Sequence, residues 1–145
     1  MDSLTNSNAV EFKNDPSMII IYDQYTNFGY NMCAYLNVRY VGGTTYNRWT
    51  IRFLNDTSNM VMVGCIYAND VIDIYETVGG TTTRRAYSSI SYGTTWHSVF
   101  VSIYGSAISV QIDDIQVYYG SLSVTSFKDV RLSTWAGSIN RYWIS

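Results

Sequence analysis

The stretch Trp96-His97-Ser98-Val99-Phe100-Val101-Ser102-Ile103-Tyr104, followed after Gly105-Ser106 by Ala107-Ile108-Ser109-Val110-Gln111-Ile112-Asp113, decides the fold. Its hydrophobic period is two. Val99, Val101 and Ile103 form a β-branched row with Phe100 on the other face, and Ile108, Val110 and Ile112 oppose Ser109, Gln111 and Asp113. Successive side chains of a strand point to opposite faces, so each segment has one core face and one solvated face, as antiparallel sheets do. The Gly-Ser pair between them is a turn signal, and the unit reads as a β-hairpin.

The same pattern extends in both directions. Strands are expected over residues 9–13, 18–22, 32–40, 47–54, 60–67, 71–76, 82–87, 96–104, 107–113, 115–119, 130–135 and 139–144. Between them lie Gly42-Gly43, Asn55-Asp56, Asn69-Asp70, Gly79-Gly80, Gly93, Gly105-Ser106 and Gly120-Ser121, and Pro16 sits in the turn-like Asn14-Asp15-Pro16-Ser17. Turn signals at this spacing point to a sandwich or barrel. In the fourth strand Trp49, Ile51 and Phe53 alternate with Arg48, Thr50 and Arg52, which places Trp49 in the core.

Composition agrees. The 145 residues are 47% hydrophobic, 16% aromatic and 14% charged, against about a quarter charged in an average domain. That balance is the reverse of a disordered segment. There are two Lys (Lys13, Lys128) and two Glu (Glu11, Glu76), 27 Ile and Val, but only 11 Leu and Ala. Branched and aromatic side chains suit a pleated, half-buried surface and lose rotamer freedom in helices, so a helical bundle is excluded. Residues 1–8 are polar and expected to be flexible, and residues 9–145 are expected to form one β-sandwich domain.

Net charge is −2 with scattered cations, so no basic stripe exists to neutralise phosphates and no nucleic-acid partner is expected. Apolar runs such as Met18-Ile19-Ile20-Ile21-Tyr22 are too short for a membrane helix, and no membrane insertion is expected. The N-terminal octet has neither a basic start nor a hydrophobic stretch. The expected location is extracellular or on a virion surface, as a fragment or a non-classically exported protein. Cys33 and Cys65 are read as free thiols acting as small buried hydrophobes, with one bridge left open. The sequon Asn55-Asp56-Thr57 is at chance frequency for this composition and carries no information.

The Trp96–Ile103 stretch resembles the W-H-x-V-x-V strand of laminin-G-like domains, and Ile108–Asp114 resembles the next strand of that family, an alternating run ending in Val-Asp-Gly. Asp114 stands where the family places a turn glycine, and the family's C-terminal cysteine pair is absent. The resemblance covers about residues 70–145, with weaker support from 32–54. It implies a concanavalin A-like jelly roll, a two-sheet antiparallel β-sandwich with six or seven strands per sheet.

Some concanavalin A-like members are glucanases with a Glu-Ile-Asp-Ile-x-Glu strand, which Val71-Ile72-Asp73-Ile74-Tyr75-Glu76 resembles. A retaining mechanism needs two carboxylates about 5 Å apart, and Val71 occupies the nucleophile position. No nucleophile elbow, phosphate loop or metal cluster appears. His97, the single histidine, reads as a framework residue. The protein is therefore expected not to be an enzyme.

The expected function is recognition of cell-surface glycans or of a protein receptor, as in adhesion modules. Arg131, Trp135, Arg141 and Trp143 fall on the polar phases of the last two strands, and would cluster on one outer face if those strands join one sheet. An aromatic ring stacks on the apolar face of a sugar and arginine donates planar forks to hydroxyls or carboxylates. Tyr118 and Tyr119 form a second candidate site, and Tyr87 and Tyr92 beside Arg84-Arg85 a third. No cofactor is expected. Calcium is an unsupported option, because Asp113-Asp114, Asn69-Asp70 and Asn55-Asp56 offer oxygens but form no spaced ligand loop. Two other readings fit the composition: the trimeric head of a viral or phage attachment fibre, and a degenerate glycanase.

Overall fold

A computed structural model describes residues 10–13, 18–22, 31–42, 49–64, 72–88, 95–133 and 141–144. Twelve strands follow one another: β1 (Val10–Lys13), β2 (Met18–Tyr22), β3 (Asn31–Gly42), β4 (Thr50–Asp56), β5 (Asn59–Gly64), β6 (Ile72–Val78), β7 (Thr81–Ser88), β8 (Trp96–Tyr104), β9 (Ala107–Ile112), β10 (Ile115–Ser121), β11 (Asp129–Ser133) and β12 (Arg141–Ile144). No described residue is helical. The expected strands are all present, and β8 has the bounds read from the sequence. The expected flexible segment 1–8 lies outside the described residues.

The strands form two antiparallel six-stranded sheets, β1-β12-β3-β8-β9-β10 and β2-β11-β4-β5-β6-β7. One apolar cluster draws on both. Val99, Val101, Ile103, Ile108, Val110 and Ile112 come from the first sheet, and Ile51, Phe53, Val61, Val63, Ile72 and Ile74 from the second. These are the positions that the period of two assigns inward. Trp49 is buried beside them, as its spacing from Ile51 and Phe53 requires. The segment after β10 closes one end with Leu122, Val124 and Phe127, and Phe127 meets Phe53 edge-on at 6.1 Å.

Two strand irregularities change which side chains share a face. In β7, Ile74 pairs with Ala86 but Tyr75 pairs with Arg84, so Arg85 is an extra residue. In β10, Gln116 pairs with Gln111 but Tyr118 pairs with Val110, so Val117 is extra. A bulge of this kind inverts the alternation beyond it. At Gly64 a side chain has no room, because an added Cβ would run into the carbonyl oxygen of Trp49.

Cys33 departs from its expected burial. It is exposed and unbridged, because it falls on the outward phase of β3 next to inward Met32. Cys65 lies outside the described residues.

Candidate functional site

The outer face of the first sheet is open. Three cross-strand rows cross it. Tyr35 faces Phe100, which faces Gln111, which faces Gln116. Cys33 faces Ser102, Ser109 and then Tyr119, and Asn31 faces Tyr104 and Ala107. Tyr35, Tyr104 and Tyr119 are 60%, 76% and 66% exposed. With neighbouring strands about 4.8 Å apart, the row from Tyr35 to Gln116 spans about 14 Å.

The outer face of the second sheet is partly covered. Arg131 faces Arg52, then Met62, Tyr75 and Arg84. The next row holds Thr50, Gly64, Asp73 and Tyr87. Thr50, Met62 and Asp73 are buried although they lie on the side away from the core. Arg84 forms an ion pair with Asp73 and lies 4.6 Å above the Tyr87 ring. The bulge at Arg85 makes this possible, since strict alternation would send Tyr87 to the opposite face from Arg84. Arg131 is held by Asp129 at 2.5 Å. Burial, and then the like charge of Arg131, lower the Arg52 guanidinium from its usual value. Burial raises the Asp73 carboxyl against the opposing pull of Arg84.

The strand with the glucanase-like pattern is built for structure. Glu76 Oε1 accepts hydrogen bonds from the backbone N–H groups of Ser123 (2.5 Å) and Val124 (2.8 Å). Its Oε2 pairs with Arg85 at 2.9 Å, and Arg85 also donates to the Ser121 carbonyl. This carboxylate staples the second sheet to the segment leaving the first. Asp73 is fully buried on the other face of the strand.

His97 is a framework residue as expected. Its Nδ1 meets Asp113 at 2.7 Å and its Nε2 meets the Thr95 hydroxyl at 3.1 Å. The Asp56 oxygens accept from Ser58 N–H and the Asn59 amide in their own turn. Among the described residues, no three His, Cys, Asp or Glu side chains gather as a metal site.

The expected residues divide. β11, which carries Arg131, lies in the second sheet, whereas β12, which carries Arg141 and Trp143, lies in the first. The condition for a single Trp and Arg cluster is therefore not met. Two strands adjacent in sequence are shared between the layers of the sandwich. In register, Trp143 pairs with Glu11 and Arg39, and Arg141 with Lys13 and Gly42. Trp135 and Tyr92 lie outside the described residues. Tyr118 turns inward to pack against the core, leaving Tyr119 as the exposed member of that pair. Sequence reading missed Tyr35, Tyr104 and the cross-strand row of Arg52 and Tyr75. Tyr35 and Tyr104 were legible as polar-phase residues of their strands, but the row across β11, β4, β5 and β6 exists only through the pairing order.

No protein-family profile matches the chain, and no curated protein matches it in sequence. Solved structures do match in fold. A carbohydrate binding module, CBM66 from Bacillus subtilis, superposes with a TM-score of 0.68 at 8% identity, covering 93% of this chain and 91% of that one. Mouse laminin alpha1 domains LG4-5 give 0.66 at 12% identity, over 96% of this chain and 41% of the other. The GH43 protein BlXynB from Bacillus licheniformis gives 0.66 at 9% identity, over 88% of this chain and 28% of the other. The architecture is the concanavalin A-like jelly roll. At these identities the likeness establishes the fold alone.

Proposed function

We propose that the protein is a non-catalytic recognition module that binds glycans through the outer face of its first sheet. The observation that carries this reading is the open surface holding Tyr35, Tyr104 and Tyr119, interleaved with Phe100, Gln111, Gln116, Ser102 and Ser109. Exposed aromatics gathered on one rigid face are the usual mark of a binding surface. A tyrosine ring covers the apolar face of a pyranose while the flanking amides and hydroxyls exchange hydrogen bonds with its hydroxyls. The strands fix the backbone beneath each ring, so no loop has to be ordered on binding. Similarity in fold to a carbohydrate binding module supports the same reading. The non-catalytic part is supported by Glu76, which is committed to Ser123, Val124 and Arg85, and by the burial of Asp73.

A glycan array followed by calorimetric titration of the best hit tests the proposal. Each ring contributes about 1 kcal/mol, so the Tyr35→Ala, Tyr119→Ala double variant is expected to bind about thirtyfold more weakly. Its thermal unfolding is expected to be unchanged. An array without hits, or full affinity in the double variant, overturns the reading.

A further inference from the structure

We propose that the tyrosine face takes an internal stretch of an uncharged oligosaccharide, several sugar residues long, rather than a terminal or an acidic sugar. This rests on the glycan reading above and names its ligand class. The three exposed rings are set far apart. Tyr35 pairs with Phe100, four residues before Tyr104 on β8. Tyr119, on β10, lies three strands across from Tyr35 and one row further along. At about 4.8 Å between strands and about 3.4 Å per residue, Tyr104 and Tyr119 are about 12 Å apart, Tyr35 and Tyr104 about 14 Å, and Tyr35 and Tyr119 about 16 Å. Strand side chains stand roughly perpendicular to their sheet, so the rings keep these separations. Each span exceeds the width of a sugar ring. A single sugar can cover one tyrosine, and only a chain of sugars reaches two or three.

Polar, uncharged groups fill the intervals. Gln111 and Gln116 continue the row from Tyr35, and Ser109 leads to Tyr119. Ser109 Oγ donates to Gln116 Oε1 at 3.4 Å, which leaves the Gln116 amide N–H groups for a ligand. Residues 31–38, 98–112 and 115–121, which carry all three rings, contain no Asp, Glu, Lys or Arg. Asp113, just beyond β9, is taken up by His97 and Ser98. A sulfate or carboxylate laid on this surface gives up water and finds no cation among these residues to replace it. Sugar hydroxyls exchange water for amides and serines at no such cost. Each of the three rings is more than half exposed, so no wall stands beside it to select a chain end.

The test screens the full chain on an array of cello-, malto-, xylo-, manno- and chito-oligosaccharides of one to six residues, beside sialyllactose and heparin oligosaccharides. The best series is then titrated by calorimetry. Each ring contributes about fivefold, so affinity is expected to rise about thirtyfold from the single sugar to the hexasaccharide. It is expected to stay constant as salt rises from about 0.05 to 0.5 M, because no ion pair is screened. Tyr35→Ala, Tyr104→Ala and Tyr119→Ala are each expected to weaken the hexasaccharide about fivefold, whereas no more than one of them weakens the single sugar. Cys33 gives a readout that needs no variant. It is exposed and faces Ser102 in the row next to Tyr35. Its alkylation by iodoacetamide, followed by mass spectrometry of the Cys33 peptide, is expected to slow about tenfold at a hexasaccharide concentration about ten times Kd. A single sugar that binds as tightly as the hexasaccharide, or an acidic sugar that binds more tightly than every neutral one, overturns the ligand class and leaves the glycan reading standing. An array without hits, or alkylation unslowed at saturation, overturns both.

Discussion

His97 Nδ1 lies 2.7 Å from Asp113 Oδ2, tying the start of β8 to the far end of the hairpin that follows it. Asp113 Oδ1 accepts from the Ser98 N–H at 2.9 Å, and the Asp113 N–H donates to the Ser98 carbonyl at 3.0 Å. The histidine of the Trp-His dipeptide that marks the strand therefore serves to hold a turn. Burial acts to raise the Asp113 carboxyl, but the hydrogen bonds from His97 and Ser98 outweigh it and hold it below the usual carboxylate range. A carboxyl depressed on folding adds stability above its unfolded value of about 3.9, and that stability is lost as pH falls through the lower folded value. Asp113→Asn is expected to lower stability at neutral pH by under about 1 kcal/mol, since the carboxylate is half-exposed, and to flatten the acid limb. Urea unfolding between neutral and strongly acid pH measures this. Parallel profiles for the two proteins contradict it.

Asp73 carries the opposite sign. Its folded value is raised, first by burial, so ionisation costs stability, and the cost is relieved as pH falls through the raised value. Asp73→Asn is expected to gain in stability relative to the parent as pH rises from the acid range to neutrality. Arg84 is half-exposed, so water replaces its lost partner at small cost. The same urea series decides, and a variant that loses ground as pH rises refutes the assignment.

Glu76 is nearly fully buried and holds two backbone N–H groups together with Arg85. Its truncation to alanine leaves the buried Val124 N–H and the part-buried Ser123 N–H without this acceptor. A loss of about 2–4 kcal/mol is expected. Glu76→Gln keeps an acceptor for Ser123 and Val124 and is expected to lose less than half as much. Chemical denaturation orders the two, and a glutamine variant as damaged as the alanine one means the ion pair, not the backbone staple, dominates.

Asp114 has φ 64°, in the left-handed region, directly after Asp113 at φ 50°. Two left-handed residues make the tight turn that joins twisted strands, and glycine adopts the conformation without steric cost. Asp114→Gly is expected to raise stability by up to about 1 kcal/mol. A lower melting temperature for the variant shows that the Asp114 side chain contributes more than its backbone costs.

Much of the fold was legible because it depends on local alternation. Val99, Val101 and Ile103, and again Ile108, Val110 and Ile112, point inward in the structure as their spacing requires. Trp49 followed from Ile51 and Phe53 by the same rule. The rule fails where one extra residue enters a strand. Val117 turns Tyr118 inward and leaves Tyr119 outside, and Arg85 brings Tyr87 to the face of Arg84. Nothing in the flanking residues announces either bulge.

By itself the sequence determined that the chain is all-β, where its strands lie, and which side of the central strands is apolar. These follow from side-chain size, branching and period, which act over a few residues. The tertiary structure alone decided that β11 and β12 enter different sheets, separating Arg131 from Arg141 and Trp143. It alone set Arg131 beside Arg52, whose sequence positions are 79 apart, and committed Glu76 to Ser123 and Val124. Such partnerships depend on the pairing order of distant strands, which is chosen by how two whole sheets bury one shared core.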